Sequence, residues 1–346
     1  RQTDQGLRRK LSKLQQLLAK KGYDLEITED TVTVCTGYEN DNYMEDSGGY
    51  SYGIGRYTAD DGTVTWDCVW FGHYPQSSDG NGGFNNDPIK WRVLSADGDE
   101  ALLLADQNLD CKRYNETYTD VTWETSTVRS WLNGYGSGSN KEGKDYTNDN
   151  FMVKAFTAAE RGDIKEKTIE DPDNPYYNTE GGNDTRDTRD KIFSLSIDEV
   201  TKPAYGFPSD YSECSKTRRA LNTDYAKSQA ALADTSTEYA GNGWWWLRLP
   251  GGNSRCAACV DSSGYVSCGG YYISDDRLAV RPALFLNLKS NLWSSTVSDS
   301  KVKGPKKVAL KKISFTKKGI LKLTWKRYKK ATGYQAIVAT KQKKPK

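Results

Sequence analysis

A chain of 346 residues with 36% hydrophobic content, 10 Trp and 22 Tyr can build one large domain with appendages or two to three small ones, and its composition is globular, not disordered. The net charge of +3 conceals an asymmetry: residues 301–346 hold 17 of the 49 basic residues and none of the 46 acidic ones, so the first 300 carry 32 basic against 46 acidic groups, a net −14. No apolar run approaches the roughly 18 residues of a membrane-spanning helix, and no Gly-rich phosphate loop or nucleic-acid aromatic motif is present, which argues against a nucleic-acid partner.

Seven cysteines at irregular spacing do not form a disulfide framework and suit a reducing compartment or an anaerobe's exterior. In chain order, Leu7, Leu11, Leu14 and Leu18 predict a helix over 5–21, stopped by Gly22. Two short strands, 25–28 and 31–36, complete an N-terminal element (1–38), and an acidic, Gly- and Tyr-rich linker follows (39–62). The main domain, 63–290, opens with strands at 65–71, 89–94 and 101–105. Ser126 caps a short helix that Gly134 stops, and Thr157-Ala-Ala-Glu160 is a capping box for a second. Residues 171–190 read as a polar loop, 192–195 as a strand and 216–232 as a helix. After a linker (291–304), alternating strands are expected at 313–315, 320–325 and 334–338 between Lys-rich turns.

One stretch, 244–288, stands apart. Apolar ends (Trp244, Trp245, Trp246 and Leu247; Val280, Pro282, Ala283 and Leu284) enclose small apolar residues interleaved with Cys, Tyr, Ser, Asp, Arg and Gly. A strand pair turning at 262–264 would point alternate side chains to opposite faces, with Ala258 and Val260 anchored and Cys259 and Asp261 facing out. Tyr with Ser and Gly on a rigid frame offers wide contact area at low entropic cost.

Several motifs carry a resemblance: Phe71-Gly72-His73-Tyr74-Pro75-Gln76, Pro88-Ile89-Lys90-Trp91-Arg92-Val93-Leu94, Arg129-Ser130-Trp131-Leu132-Asn133, Gly181-Gly182-Asn183-Asp184, Trp245-Trp246-Leu247-Arg248 and Val280-Arg281-Pro282-Ala283-Leu284. Across roughly 65–290 the chain resembles a bacterial domain family of unassigned activity that includes variable proteins of diversity-generating retroelements. The resemblance implies an α+β, C-type-lectin-like fold, also that of formylglycine-generating enzymes, displayed at a bacterial cell surface or secreted. It also implies adenine-directed replacement of chosen codons, whose vocabulary matches Gly252, Arg255, Cys256, Cys259, Asp261, Tyr265, Ser267, Cys268, Tyr271, Tyr272, Ser274, Asp276, Arg277 and Leu278. Trp244, Trp245, Trp246, Arg248 and Arg281 would form the fixed platform, the two arginines pairing internally. Leu323-Thr324-Trp325 and Ala331-Thr332-Gly333-Tyr334 resemble strands of a fibronectin type III domain, making 305–346 a partial β-sandwich.

The expected function is non-enzymatic binding of a protein or glycan ligand, without cofactor. Two rivals stay open: a metal- or thiol-dependent enzyme using Cys256, Cys259 and Cys268, and a purely structural surface module. The zinc set is incomplete, since a second Cys pair is missing and the one histidine, His73, is distant in sequence. That histidine would also have to serve any Ser–His or Cys–His site.

Overall fold

In a computed structural model the described residues are 64–178 and 185–295, with the backbone of 56–58, 310–315 and 321–325. The expected N-terminal helix, the strands at 25–28 and 31–36, and the strand at 334–338 lie outside them. The chain divides into two units, residues 45–299 and residues 1–44 with 300–346.

The strands are β1 (Arg56–Thr58), β2 (Val64–Trp66), β3 (Cys68–Ser78), β4 (Phe84–Asp97), β5 (Glu100–Ala105), β6 (Asp110–Cys111), β7 (Ile164–Lys165), β8 (Lys167–Ile169), β9 (Thr188–Asp190), β10 (Ile192–Phe193), β11 (Trp245–Pro250), β12 (Cys256–Val260), β13 (Val266–Tyr272), β14 (Ala279–Val280), β15 (Ala283–Asn287), β16 (Ser294–Ser295), β17 (Leu310–Phe315) and β18 (Leu321–Trp325). The helices are short: α1 (Thr127–Asn133), α2 (Phe151–Ala155), α3 (Ala158–Asp163), α4 (Ile197–Val200) and α5 (Asp224–Ser228). The architecture is mixed α+β and mostly sheet. No helix among the described residues is long and apolar enough to cross a membrane.

One sheet runs β10-β15-β5-β4-β3-β16, with β7 also pairing β15, and the other runs β13-β12-β11-β14-β6. Both are made of bulky apolar runs, because each must bury at least one face. Val69, Phe71, Trp91, Val93, Leu103 and Leu284 are almost wholly buried in the first, and Trp245, Leu247, Val260 and Val266 in the second. The sheets join where β14 passes into β15 through Arg281 and Pro282, whose carbonyl accepts from Ala105 N at 2.9 Å. In the other unit, β17 and β18 form an antiparallel pair.

The helices begin where local chemistry supplies caps. Ser126 Oγ accepts from Arg129 N, and Gly134, at φ 73°, closes α1 in the left-handed conformation. The capping box at Thr157 and Glu160 opens α3. A second box, Ser196 with Glu199, opens α4. The helix expected over 216–232 contracts to α5. Residues before Thr223 are held as loop because the Arg218 side chain turns inward, and Ala230 ends the run at φ 83°.

Arg218 is fully buried and donates to five backbone carbonyls: Gly264 at 2.8 Å, Val200 at 3.3 Å, Pro208 at 3.1 Å, Asp210 at 2.8 Å and Glu213 at 2.7 Å. Its own carbonyl accepts from Arg281 Nη1 at 3.0 Å. Removing the guanidinium strands these acceptors, at about 1–3 kcal/mol for each that water cannot reach. Arg218→Met is therefore expected to lose more than ~3 kcal/mol in denaturant unfolding. Arg218→Lys, with at most three donors and no fork, is expected to rescue less than half. Full rescue by Lys would show that charge alone, not the fork, fills this role.

Candidate binding surface

The hairpin β12–β13 is the centre of the site, and its floor is rigid. β12 lies between β11 and β13, and all five of its residues are buried. This corrects the expected alternation: Cys259 is wholly buried, because an interior strand covered on both faces presents no outward row. Register places Trp246, Cys259 and Ser267 in one cross-strand row and Trp245, Val260 and Val266 in the next. Cys256, Cys268 and Leu278 are buried as well, so four of the fourteen candidate contact residues belong to the core.

Burial also decides the chemistry of the thiols. Desolvation pushes Cys256 and Cys259 upward and Cys268 up to about 12. A nucleophilic cysteine needs the opposite shift, toward thiolate. Among the described residues no group of three or more His, Cys, Asp or Glu side chains is placed to hold a metal ion.

The turn after β12 is built by Asp261, whose Oδ1 accepts from Ser263 N at 2.8 Å, Ser263 Oγ at 2.6 Å and Tyr265 N at 3.1 Å. A Cβ on Gly264, at φ +84°, would meet Ser215 O at 2.0 Å, so only glycine fits. Asp261 thus shapes the loop besides edging the surface.

The outward residues form a continuous aromatic strip. Trp244 meets Tyr271 at 5.7 Å between ring centroids, Tyr271 meets Tyr272 at 5.8 Å, and Tyr272 meets Tyr118 at 5.5 Å edge-on. Arg255 caps the strip over the Tyr118 ring at 5.4 Å, and Arg277 Nη2 donates to Tyr271 Oη at 3.3 Å. Acidic partners neutralise the cations: Asp120 with Arg255, Asp275 with Arg277, and Asp276 with Arg113. Tyr272 is 56% exposed and Tyr118 48%, so the outer end of the strip faces water. Trp244, expected in the frame, is half-buried and belongs to this strip.

A second group of rings lies where loop 171–178 meets the hairpin. Asn174 Nδ2 donates to Pro250 O at 2.8 Å and Cys268 O at 2.7 Å, pinning the loop to β11 and β13. Tyr177 then lies against Gly252 and Gly269, whose missing side chains leave room for the ring. Tyr176 packs on Tyr211 at 4.1 Å. Tyr265, Ser267 and Ser274 are half-buried nearby in sequence. The Tyr176-Tyr177 doublet in a polar loop is the signal that could have exposed this group; Tyr118 and Tyr211 carry no local signal.

The platform residues sit as frame. Trp245 and Trp246 are fully buried. Arg248 and Arg281 do not pair with each other: Arg248 Nη1 bonds Glu199 Oε2 at 2.5 Å, and Arg281 donates to Ala105 O at 2.8 Å, Arg218 O and Asp106 O while covering the Trp245 ring.

The loop that carries Tyr176 and Tyr177 begins at Asp171, whose carboxylate is buried without a hydrogen bond among the described residues. Burial raises it to about 7, partly offset by Arg248. Unfolded Asp ionises near ~3.9, so the folded state holds the proton more tightly. The site's contribution to stability is therefore full below about pH 4 and is lost as pH rises through about 7. Asp171→Asn is expected to raise the melting temperature more at pH 8 than at pH 5. An equal change at both would show that Asp171 does not titrate in this window.

The sequence model of a family described as a domain of unknown function, DUF6273, matches residues 98–288, more than half of the chain. No curated protein and no solved structure matches. The matched span includes β11 to β15, both aromatic groups and the buried arginines beneath them. The chain therefore belongs to the DUF6273 family.

Proposed function

We propose that this chain is a non-enzymatic binding protein, a C-type-lectin-like display domain whose β12–β13 face recognises a protein or glycan ligand. The observation that carries the reading is the strip Trp244–Tyr271–Tyr272–Tyr118 with Arg255 and Arg277, laid over a hairpin whose inner strand is fully buried. Tyr, Trp and Arg are the residues that dominate interface energetics, and rigid rings on a fixed floor lose little entropy on contact. Retroelement diversification would act on the outer residues of this face, and the fibronectin III-like reading of the tail would make that part a spacer behind the display domain at a cell surface.

The burial pattern sharpens which codons such a system can vary. Arg255, Tyr265, Ser267, Tyr271, Tyr272, Ser274, Asp276 and Arg277 reach solvent, whereas Cys256, Cys259, Cys268 and Leu278 are buried. Random replacement of a core side chain costs several kcal/mol through cavities or unpaired polar groups. Sequencing the gene's surroundings is expected to find a reverse transcriptase and a near-identical template repeat whose mismatches fall on the first set and spare the second. Absence of both elements removes the diversification and leaves the binding reading. For the latter, peptide ligands selected on the immobilised chain are expected to lose affinity about 30-fold with Tyr271→Ala and Tyr272→Ala combined, the size of an interface hot spot of ~2 kcal/mol. Ligands indifferent to every residue of 252–278 would overturn it.

A further inference from the structure

The second group of rings, at the loop end of the hairpin, differs from the strip in its charge. Asn174 pins loop 171–178 to β11 and β13, and Val266 N donates to Tyr211 O at 3.0 Å, holding the segment around Tyr211 along the edge of β13. Tyr265 directly precedes Val266, and its N–H is fixed by the Asp261 carboxylate. Tyr176 and Tyr177 are 44% and 47% exposed, and Tyr211 and Tyr265 are half-buried.

Elsewhere the chain covers its outer rings with its own cations. Arg129 lies over Tyr135, Lys202 over Tyr205, Arg219 over Tyr239 and Arg255 over Tyr118. Among the described residues, no Lys or Arg lies over Tyr176, Tyr177, Tyr211 or Tyr265.

The charge beside these rings is negative. Asp198 and Asp210 are exposed, and among the described residues neither is in an ion pair. Asp210 Oδ1 accepts from Ser212 N at 2.8 Å and Ser212 Oγ at 2.7 Å, which orients the carboxylate and leaves Oδ2 unused. Burial raises the Tyr176 hydroxyl above its usual range, and the charges of Asp198 and Asp210 raise it further. Arg218 reaches the Asp210 carbonyl from inside, but it is fully buried and every donor it has is spent on carbonyls.

Open ring faces beside unpaired carboxylates select a cation, which the ring quadrupole attracts and the carboxylates pair. Arginine suits both at once, since its planar guanidinium stacks on a ring while its edge donates to carboxylate oxygens. We propose that Tyr176, Tyr177, Tyr211 and Tyr265, with Asp198 and Asp210, form a docking site for an arginine side chain of a protein partner. The site uses residues other than the strip, so it goes beyond the hairpin reading and fails separately from it.

The test titrates the full chain, by fluorescence anisotropy at low salt, into a labelled peptide acetyl-Gly-Arg-Gly-Arg-Gly-amide and into its twin with citrulline for arginine, the same shape without the charge. The arginine peptide is expected to bind about tenfold tighter. Tyr176→Leu with Tyr177→Leu is expected to weaken it about fivefold, ~1 kcal/mol, because the ring face and not bulk attracts the cation. Tyr176→Phe with Tyr177→Phe is expected to keep it, since neither lost hydroxyl has a partner among the described residues. Asp198→Asn with Asp210→Asn is expected to weaken it about threefold, and Asp79→Asn with Asp97→Asn, exposed on turns of the other sheet, to leave it unchanged. No preference for the arginine peptide, full retention in the Leu variant, or equal loss in both Asp pairs overturns the proposal. Loss only with Tyr271→Ala and Tyr272→Ala puts the arginine on the strip, which sinks this site and leaves the hairpin reading standing.

Discussion

Buried guanidinium groups bonded to backbone carbonyls are the constraint on which the rest of this structure depends. Much of the chain between the two sheets is loop, and loop carbonyls taken out of water need donors that no strand or helix supplies. Arg218 satisfies five of them at once, from residues 200, 208, 210, 213 and 264, and Arg281 adds Ala105, Asp106 and Arg218 itself. The fork geometry of arginine makes this possible, since five N–H groups diverge in a plane where a lysine offers one point. Desolvation draws both arginines below their usual range, and the carbonyl dipoles provide the compensation that a carboxylate would elsewhere. Arg129 with Asp190 and Arg248 with Glu199 use the same side chain with conventional counter-charges.

This network ends under the candidate binding surface. Arg218 holds the carbonyl of Gly264 at the hairpin turn, and Arg281 covers Trp245 on the strand next to β12. The floor is therefore tied to loops that reach back across the molecule, while the rings above it contact one another edge-on. Substitution at Tyr272 or Arg277 changes contacts at the surface only, whereas Tyr271 also packs against the core. Substitution at Cys259 or Val260 would open the core. A division of this kind lets one fold present many surfaces, because the energy that maintains the fold comes from residues other than those that touch a ligand.

The local chemistry was legible from the sequence: the Ser126 cap and Gly134 stop of α1, the box at Thr157 and Glu160, the strand at 101–105 and the apolar frame of Trp245, Trp246 and Leu284 each follow from short-range pattern. The helix expected over 216–232 failed because Arg218, a good helix former, is recruited inward by carbonyls distant in sequence. Likewise, 171–190 read as simple polar loop, yet Asn174 ties it to β11 and β13 and so places Tyr177 on the hairpin's glycines.

By itself, then, the sequence determined that a rigid apolar frame encloses a mixed segment rich in Tyr, Ser and Gly, and where that segment lies. Tertiary structure alone decided which of its residues face water. Alternation along a strand predicts one wet face only when the opposite side is open, and β12 is enclosed by neighbours on both edges and packing on both faces. That enclosure turned Cys259 into core; on the edge strand β13, Cys268 faces inward while Tyr272 faces water, and Tyr118 and Trp244 join the strip from separate elements. Spatial neighbours such as Tyr118 and Tyr272, more than a hundred residues apart, leave no mark on local periodicity.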